Sequence, residues 1–247
     1  MKKKHTFKFL KSHNSNPGRV IILGSSGIVS INLQKMLRAK KIKTLTIGRS
    51  KLDLKKGKAS KILKSKIKKK DVIIFIAAEA PVKNMNMLFN NLEICKNVCD
   101  GLKNKKFEQL IYISSDAVYS DTRYKISEKS ETLPESLHGL MHLNRELILK
   151  KNFEKNLCIL RPTLIYGNGD SHNGYGPNRF VKLALKDKPI SIFGNGEEKR
   201  DHIFIDDLIK IIIKCIEKKG LGVLNLVSGN VYSFKYLAET IINLSNS

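Results

Sequence analysis

The sequence is poor in several kinds of residue, and each scarcity removes a class of function. Its 247 residues include 4 cysteines and no C-x-x-C pair, so the usual spacing of cysteine metal ligands is missing. Aromatic residues make up 7% of the chain and do not alternate with lysines, so the stacking platforms of single-stranded nucleic-acid binders are missing as well. No apolar run approaches the ~20 residues of a membrane span.

Acidic residues are also scarce, since 22 aspartates and glutamates stand against 46 lysines and arginines, a formal net charge of +24. The lysines are spread along the chain and crowd predicted helix surfaces such as Lys55–Lys70. We interpret them as a solvated surface and expect neither nucleic acid nor a membrane as a partner. Cys95 and Cys99, one helical turn apart, are expected to face a core as reduced thiols, which fits a cytoplasmic protein.

One stretch near the start of the chain indicates a phosphate site. Val20–Leu23 is a short apolar, β-branched run typical of a buried parallel strand, and a helical pattern follows it. Between the two, Gly24 permits a tight turn, and Gly27 lets the helix N-terminus approach a pyrophosphate. We therefore predict a dinucleotide site. Its predicted contacts are Gly24, Ser26, Gly27 and Ile28.

A second predicted strand, Thr44–Ile47, ends at Gly48-Arg49-Ser50. In dinucleotide folds this strand end meets the adenosine ribose, where an acidic residue binds the 2′-hydroxyl of NAD and an arginine accommodates the 2′-phosphate of NADP. Arg49 therefore favours NADP slightly over NAD.

Two further segments are expected beside the cofactor. Leu52–Leu54 is predicted as a short third strand that brings Asp53 and Leu54 near the adenine. Ala77 and Ala78 follow a predicted buried strand, and their small side chains let the backbone approach the cofactor.

Strands and helices alternate along the chain, which predicts a Rossmann-type doubly wound parallel sheet of the α/β class. From Tyr166 the sequence turns to glycine, asparagine and proline, typical of ligand-binding loops beyond strand ends. We predict a basic flexible leader over 1–18, an NAD(P)-binding domain over 19–165, and a small substrate lobe over 166–247 that is interleaved with the last sheet strands. Local predictions include a strand over Ile190–Phe193 and a helix that begins at Pro134.

Seven motifs follow one another from Arg19 to the C-terminus. They are Gly24-x-x-Gly27, Ala77-Ala78, Asn91…Asn97, Ser114-Ser115-Asp116-Ala117-Val118-Tyr119, Arg161-Pro162-x-x-x-Tyr166-Gly167, Phe193-Gly194-x-Gly196 and Arg200-Asp201-x-x-x-x-Asp206-Asp207. This order resembles the extended short-chain dehydrogenase/reductase family, in particular its NAD-dependent epimerase/dehydratase branch, which acts on nucleotide-sugars.

The resemblance implies roles for several residues. Ser115 would hydrogen-bond the reacting sugar oxygen, with Asp116 beside it at the substrate. Arg200 would hold the substrate's diphosphate, a task that suits a guanidinium fork. Asn178 lies where the family contacts the nucleotide-sugar, and Pro162 lies at the cofactor.

The family's central pair is Tyr-x-x-x-Lys on one helical face, but this chain has His138 and His142 at those two positions. In one hypothesis His138 moves the proton, since imidazole titrates near neutrality, and His142 bonds the cofactor ribose. In a second, the pair has lost catalysis and the fold only binds nucleotide. In a third, the two histidines bind a metal with His172 or His202, although the glutamate of a zinc hydrolase is missing. A fourth is plain packing in a helix face.

We therefore predict an NAD(P)-dependent epimerase or ketoreductase of a nucleotide-sugar, without a metal. Dehydration is disfavoured because Ala117 stands where such dehydratases carry a second acid. The alternative is a non-catalytic NAD(P)-binding regulator or scaffold. Family members usually continue well past a helix such as Phe234–Leu244, so the lobe is expected to be shortened or completed by a partner subunit, and a homodimer stays open.

Overall fold

The computed structural model describes residues 7–122, 124–170, 174 and 176–245. The strands in this part of the chain are β1 (Lys8–Phe9), β2 (Arg19–Leu23), β3 (Thr44–Ile47), β4 (Asp71–Phe75), β5 (Gln109–Ile113), β6 (Leu157–Pro162), β7 (Leu164–Tyr166), β8 (Lys199–Phe204), β9 (Gly220–Leu226) and β10 (Val231–Ser233). The helices are α1 (Ile28–Ala39), α2 (Lys58–Lys66), α3 (Met85–Leu102), α4 (Leu137–Phe153), α5 (Pro177–Ala184), α6 (Ile205–Glu217) and α7 (Phe234–Ser245).

The larger sheet has the strand order β1-β9-β6-β5-β4-β2-β3. Its strands pair in parallel except β1, which runs antiparallel to β9. The order reverses at β2, which lies between β3 and β4. The predicted doubly wound α/β sheet is confirmed, and ligands of such sheets bind beyond the carboxyl ends of the strands at this reversal.

The sheet is covered on both faces because successive side chains of a strand point to opposite sides. Within β2, Val20 and Ile22 join a core with α1 and α6, whereas Ile21 and Leu23 join a core with α2, α3 and α4. All four side chains are fully buried. The continuous apolar run of β2 is the pattern that two-sided burial requires.

The smaller sheet has the order β10-β8-β7, and α5 and α7 pack beside each other through Phe180 and Phe234, whose ring centroids are 6.3 Å apart. Between β8 and β10 the chain returns to the larger sheet through α6 and β9. The four cysteines are buried and free, which confirms the expectation that Cys95 and Cys99 face a core. No helix among the described residues is long and apolar enough to cross a membrane.

Three local predictions were wrong. Leu52–Leu54 is not a strand. A parallel neighbour of β3 needs a crossover of about a dozen residues, and only four residues separate Ile47 from Leu52. Leu52 and Leu54 are instead buried in a turn. Ile190–Phe193 is irregular, and the strand comes later, at β8. The helix predicted from Pro134 begins at Leu137, where the Ser136 hydroxyl caps it by accepting from Gly139 N.

The predicted flexible leader over 1–18 was also wrong from Phe7 onward, while residues 1–6 lie outside the described residues. Lys8–Phe9 pairs with β9, and Leu10 N donates to the Lys219 carbonyl at 3.1 Å. The Phe7 ring packs against Gly220 and edge-on against Phe9, with centroids 5.0 Å apart. This segment closes the β9 edge of the sheet, whereas β3 has no strand beyond it among the described residues.

The substitution Phe7→Ala is expected to lower the free energy of unfolding by about 1–3 kcal/mol, because it removes a half-buried ring from the core beneath β9. Leu10→Ala is the control, since Leu10 is 46% exposed. Urea unfolding of both variants measures the difference. Equal effects would show that the Phe7 ring contributes no more core packing than exposed Leu10.

Candidate active site

The turn after β2 holds three strand ends together. Gly24 has a φ of +107°, and a Cβ at this residue would lie 2.9 Å from the amide nitrogen of Ala77. Its own N–H donates to the Ile47 carbonyl at 2.9 Å, and Ala77 N donates to Leu23 O at 2.7 Å. Only glycine fits this conformation and this space. The ends of β3, β2 and β4 therefore form one edge.

Helix α1 begins at this edge with its N–H groups available. Gly27, at its N-cap, makes no side-chain cap, and the first turn carries no acidic residue. No atom of the described residues lies within 4 Å of the position that a Cβ of Gly27 would occupy, and Ser26 beside it is exposed. Ser30 donates to the Gly24 carbonyl at 2.7 Å and closes the turn from below. An uncapped helix end facing open space fits a diphosphate, so the cradle fits a dinucleotide.

The predicted adenosine end is held by ion pairs. Arg49 is exposed and lies 3.2 Å from the carboxylate of Glu79, which also accepts from Lys55 Nζ at 2.9 Å. Asp53 accepts from Lys55 N at 3.1 Å within the turn, and the Leu54 carbonyl accepts from Asn97 at 2.9 Å. Arg49 is therefore already paired with an acid, which the sequence did not lead us to expect.

The start of α4 packs against the turn that follows β5. A Cβ at Gly139 would collide with the carbonyl of Ala117, so the helix comes as close to that turn as a glycine allows. Ser115 lies in the same turn, accepts from Ala117 N at 3.1 Å and donates to Asp116 at 3.1 Å. Burial raises the pKa of Asp116. The structure thus brings His138, next to Gly139, onto a helical turn that touches the Ser115 segment.

The two histidines form a pair with unequal surroundings. His142 is buried, and its Nδ1 lies 2.7 Å from the hydroxyl of fully buried Tyr112. Burial raises the pKa of Tyr112, so the phenol keeps its proton beside the His142 ring. His138 accepts from Val82 N at 3.5 Å, at the limit of a hydrogen bond. The two rings meet edge to face, with centroids 4.7 Å apart.

Both imidazoles are held in the neutral form. Burial lowers the pKa of His138, and burial lowers that of His142 well below its usual value. Arg145 adds to both effects with its positive charge. Its guanidinium is 1% exposed and donates to the carbonyls of Asn91 and Ala77 at 2.7–3.0 Å. No carboxylate pairs with it in the part of the chain that the structure describes.

The predicted substrate contacts are engaged with protein groups. Arg200 holds Asp121 with two bonds of 2.9 and 3.1 Å and Glu198 with one of 2.7 Å. Asn178 accepts from Gly167 N at 2.9 Å and donates to Asp170 at 3.0 Å. A nucleotide-sugar diphosphate at Arg200 would have to replace these exposed carboxylates.

A buried ion pair beneath the site joins α4 to β5 and β6. Arg161 contacts Glu146 through bonds of 2.8 and 2.6 Å, and Ser114 donates to the same carboxylate at 2.7 Å. Pro162 lies next to it at the buried end of β6. The sequence pattern did not single out Glu146, Arg145 or Tyr112. The available signal for Arg145 and Glu146 was two adjacent charged residues inside a predicted helix.

The described residues contain no group of three histidine, cysteine or acidic side chains that could hold a metal. His202 packs against Tyr166 and Phe234 in the smaller sheet, with Nδ1 3.2 Å from the Arg200 carbonyl. His172, the other candidate third ligand, lies outside the described residues.

A parallel sheet with a glycine cradle at its reversal defines the Rossmann-type dinucleotide-binding class. The model of the NAD dependent epimerase/dehydratase family matches residues 20–226, and the chain belongs to that family. It is 34% identical over 155 residues to the dTDP-4-dehydro-6-deoxyglucose reductase of Escherichia coli, covering 59% of this chain and 49% of that protein. It is 25% identical over 194 residues to the uncharacterized UDP-glucose epimerase YtcB of Bacillus subtilis, covering 75% and 61%. The chain thus spans about half the length of the curated relatives it matches.

Solved structures share the fold. The UDP-glucose 4-epimerase of Thermotoga maritima superposes with a TM-score of 0.82 at 16% identity, over 92% of this chain and 82% of that one. The UDP-N-acetylglucosamine 4-epimerase of Bacillus cereus gives 0.81 at 21% identity, over 92% and 82%.

Two glycine substitutions should separate folding from ligand binding. Gly27→Val is expected to weaken NAD(H) binding at least about tenfold with little change in stability, since a Cβ there would enter the cradle and meet no atom in the described part of the chain. Gly24→Ala is expected to lower stability by about 1–3 kcal/mol, because its φ is +107° and Ala77 leaves no room. Thermal unfolding and titration calorimetry measure both. Equal loss of stability in the two variants would contradict the open cradle.

Stability should fall as the pH drops below about 6.5. The pKa of His142 is lower in the folded protein than in the unfolded chain. As the pH falls from ~6.5 towards the folded pKa, the unfolded chain therefore binds a proton that the folded protein does not, and acid favours unfolding. His142→Gln should reduce this dependence by up to about 1.4 kcal/mol per pH unit. Urea unfolding at several pH values between about 5 and 7.5 measures it, with His13→Gln, at an exposed histidine, as the control. An identical pH dependence in both variants would contradict a neutral buried His142.

Proposed function

We propose that the protein binds NAD(H) and uses it to oxidise and reduce a nucleotide-sugar, as an epimerase or a ketoreductase. The observation that carries this proposal is the cradle at Gly24–Gly27, together with the helical turn that carries His138 and meets the Ser115 segment through Gly139. Membership of the epimerase/dehydratase family and structural likeness to sugar epimerases support it. When bound, the nicotinamide supplies hydride transfer.

His138 is the proposed proton carrier at the sugar hydroxyl. Its lowered pKa keeps it neutral near pH 7, so it can accept the hydroxyl proton without help from a lysine. The weak bond to Val82 N leaves Nδ1 easily released. Ser115 would turn its hydroxyl from Asp116 to the sugar oxygen.

His142 is the proposed contact to the nicotinamide ribose. In this proposal the Tyr112 hydroxyl donates to Nδ1, which leaves Nε2–H as a donor, and no described residue accepts a hydrogen bond from Nε2. A neutral N–H donor would take the place of the family's lysine ammonium at the ribose hydroxyls. The positive charge then comes from Arg145, one helical turn away.

The domains, the partner and the compartment complete the proposal. Residues 19–165 form the cofactor domain and residues 166–247 contribute the substrate lobe, with Arg200 and Asn178 at the nucleotide-sugar. The binding partner is a nucleotide-sugar and not a nucleic acid. The reaction takes place in the cytoplasm. Phe89 on α3 and Leu147 on α4 are 59% and 56% exposed and are the candidate contacts of a homodimer.

A non-catalytic NAD(H)-binding protein is the second candidate. The engagement of Arg200 with Asp121 and Glu198, and of Ser115 with Asp116, favours it, because substrate groups would have to displace acids from both.

His138→Ala is expected to lower turnover about 10²–10⁴-fold while leaving NAD(H) affinity within about twofold, since it removes the proton carrier and not the cradle. Turnover is followed by mass spectrometry and nicotinamide absorbance with UDP-glucose, UDP-N-acetylglucosamine and dTDP-glucose. His138→Tyr with His142→Lys, the pair typical of the family, is the matched variant. Cofactor binding without turnover in the wild type, and turnover only in that double variant, would establish the second candidate instead.

A further inference from the structure

Glu79 is the most tightly held acidic side chain at the edge where β3, β2 and β4 end. Its carboxylate contacts Lys55 at 2.9 Å, Arg49 at 3.2 Å and Asn90 at 2.9 Å. Its backbone is fixed as well, because Asn91 accepts from its N–H at 3.0 Å and donates to its carbonyl at 2.9 Å. The pKa of Glu79 is lowered, mainly by the bond from Lys55, so the group is an anion.

The position of this anion follows from the topology. Glu79 follows β4, Arg49 follows β3, and β2 lies between these two strands. Neighbouring strands are about 4.8 Å apart, so the Arg49–Glu79 ion pair reaches over the end of β2, a gap of roughly 10 Å. That is the adenosine end of the cleft, since β3 ends there.

The chemistry at this end favours an uncharged ribose. The residues directly after β3, Gly48-Arg49-Ser50, contain no acid, so β3 itself supplies no carboxylate that could accept from a 2′-hydroxyl. Glu79 brings a carboxylate to the same place from β4. A 2′-phosphate would bring a further negative charge of about two units against that carboxylate, and Arg49 and Lys55 are already shared with it.

We propose that Glu79 selects the cofactor, with NAD bound in preference to NADP, and that Arg49 serves the carboxylate and not a 2′-phosphate. The inference rests on the proposed function, since it assumes that the cradle takes a dinucleotide. It replaces the slight preference for NADP that Arg49 alone suggested.

The experiment is titration calorimetry of the full chain with NAD and with NADP, which needs no turnover. The wild type should bind NAD at least about tenfold more tightly than NADP, and Glu79→Gln should tighten NADP about tenfold relative to NAD. Glu217→Gln is the matched control. Glu217 is equally buried, pairs with Lys40 at 2.9 Å, and lies at the far end of α6. It should leave the NAD to NADP ratio unchanged.

Arg49→Ala is the second variant, and it tests the proposal if Glu79→Gln does not fold by circular dichroism. Arg49 is exposed, so its removal should leave the fold and the preference for NAD in place. Two results overturn the inference alone: NADP bound as tightly as NAD by the wild type, or a ratio that changes with Arg49→Ala and not with Glu79→Gln. A folded wild type that binds neither cofactor overturns the proposed function, and the inference with it.

Discussion

The site depends on one buried cation. The Arg145 guanidinium leaves α4 and donates to the carbonyls of Asn91 on α3 and of Ala77 after β4, and it lies over the Phe75 ring with Cζ 5.0 Å from the centroid. Burying a charge without an opposite charge costs several kcal/mol unless its donors are satisfied, and here carbonyl oxygens satisfy them. Because Asn91 in turn fixes the backbone of Glu79, the same guanidinium connects the histidine pair to the predicted adenosine end of the site.

This cation also explains how two histidines can stand where the family has tyrosine and lysine. A lysine would place its charge in the cleft, beside the reacting groups. Arg145 places a charge beneath the two histidines, whose lowered pKa values keep both rings neutral. One positive charge is therefore kept near the pair, but it lies beneath the two side chains and not on one of them.

The sequence predicted what depends on local pattern. Buried apolar runs located β2 and β4, and glycine spacing located the cradle, because strand burial and turn conformation are decided by neighbouring residues. The prediction of a third strand at Leu52–Leu54 failed because an apolar pattern carries no information on the connection before it. The four residues between Ile47 and Leu52 are too few for a crossover. The contacts of Tyr112 with His142 and of Arg49 with Glu79 join residues 30 positions apart, so no local pattern could reveal them.

The open edge at β3 gives the lysine excess a second meaning. A strand with unpaired N–H and C=O groups is a template onto which another chain can add, and sequences guard such edges with short strands and with lysine. β3 has four residues, and exposed Lys40, Lys41 and Lys43 precede it. Two copies that approach edge to edge therefore bring like charges together. This protection is electrostatic, so salt weakens it. At about 1 M salt the screening length is only ~3 Å, and the short length of β3 is then the remaining protection against edge-to-edge aggregation.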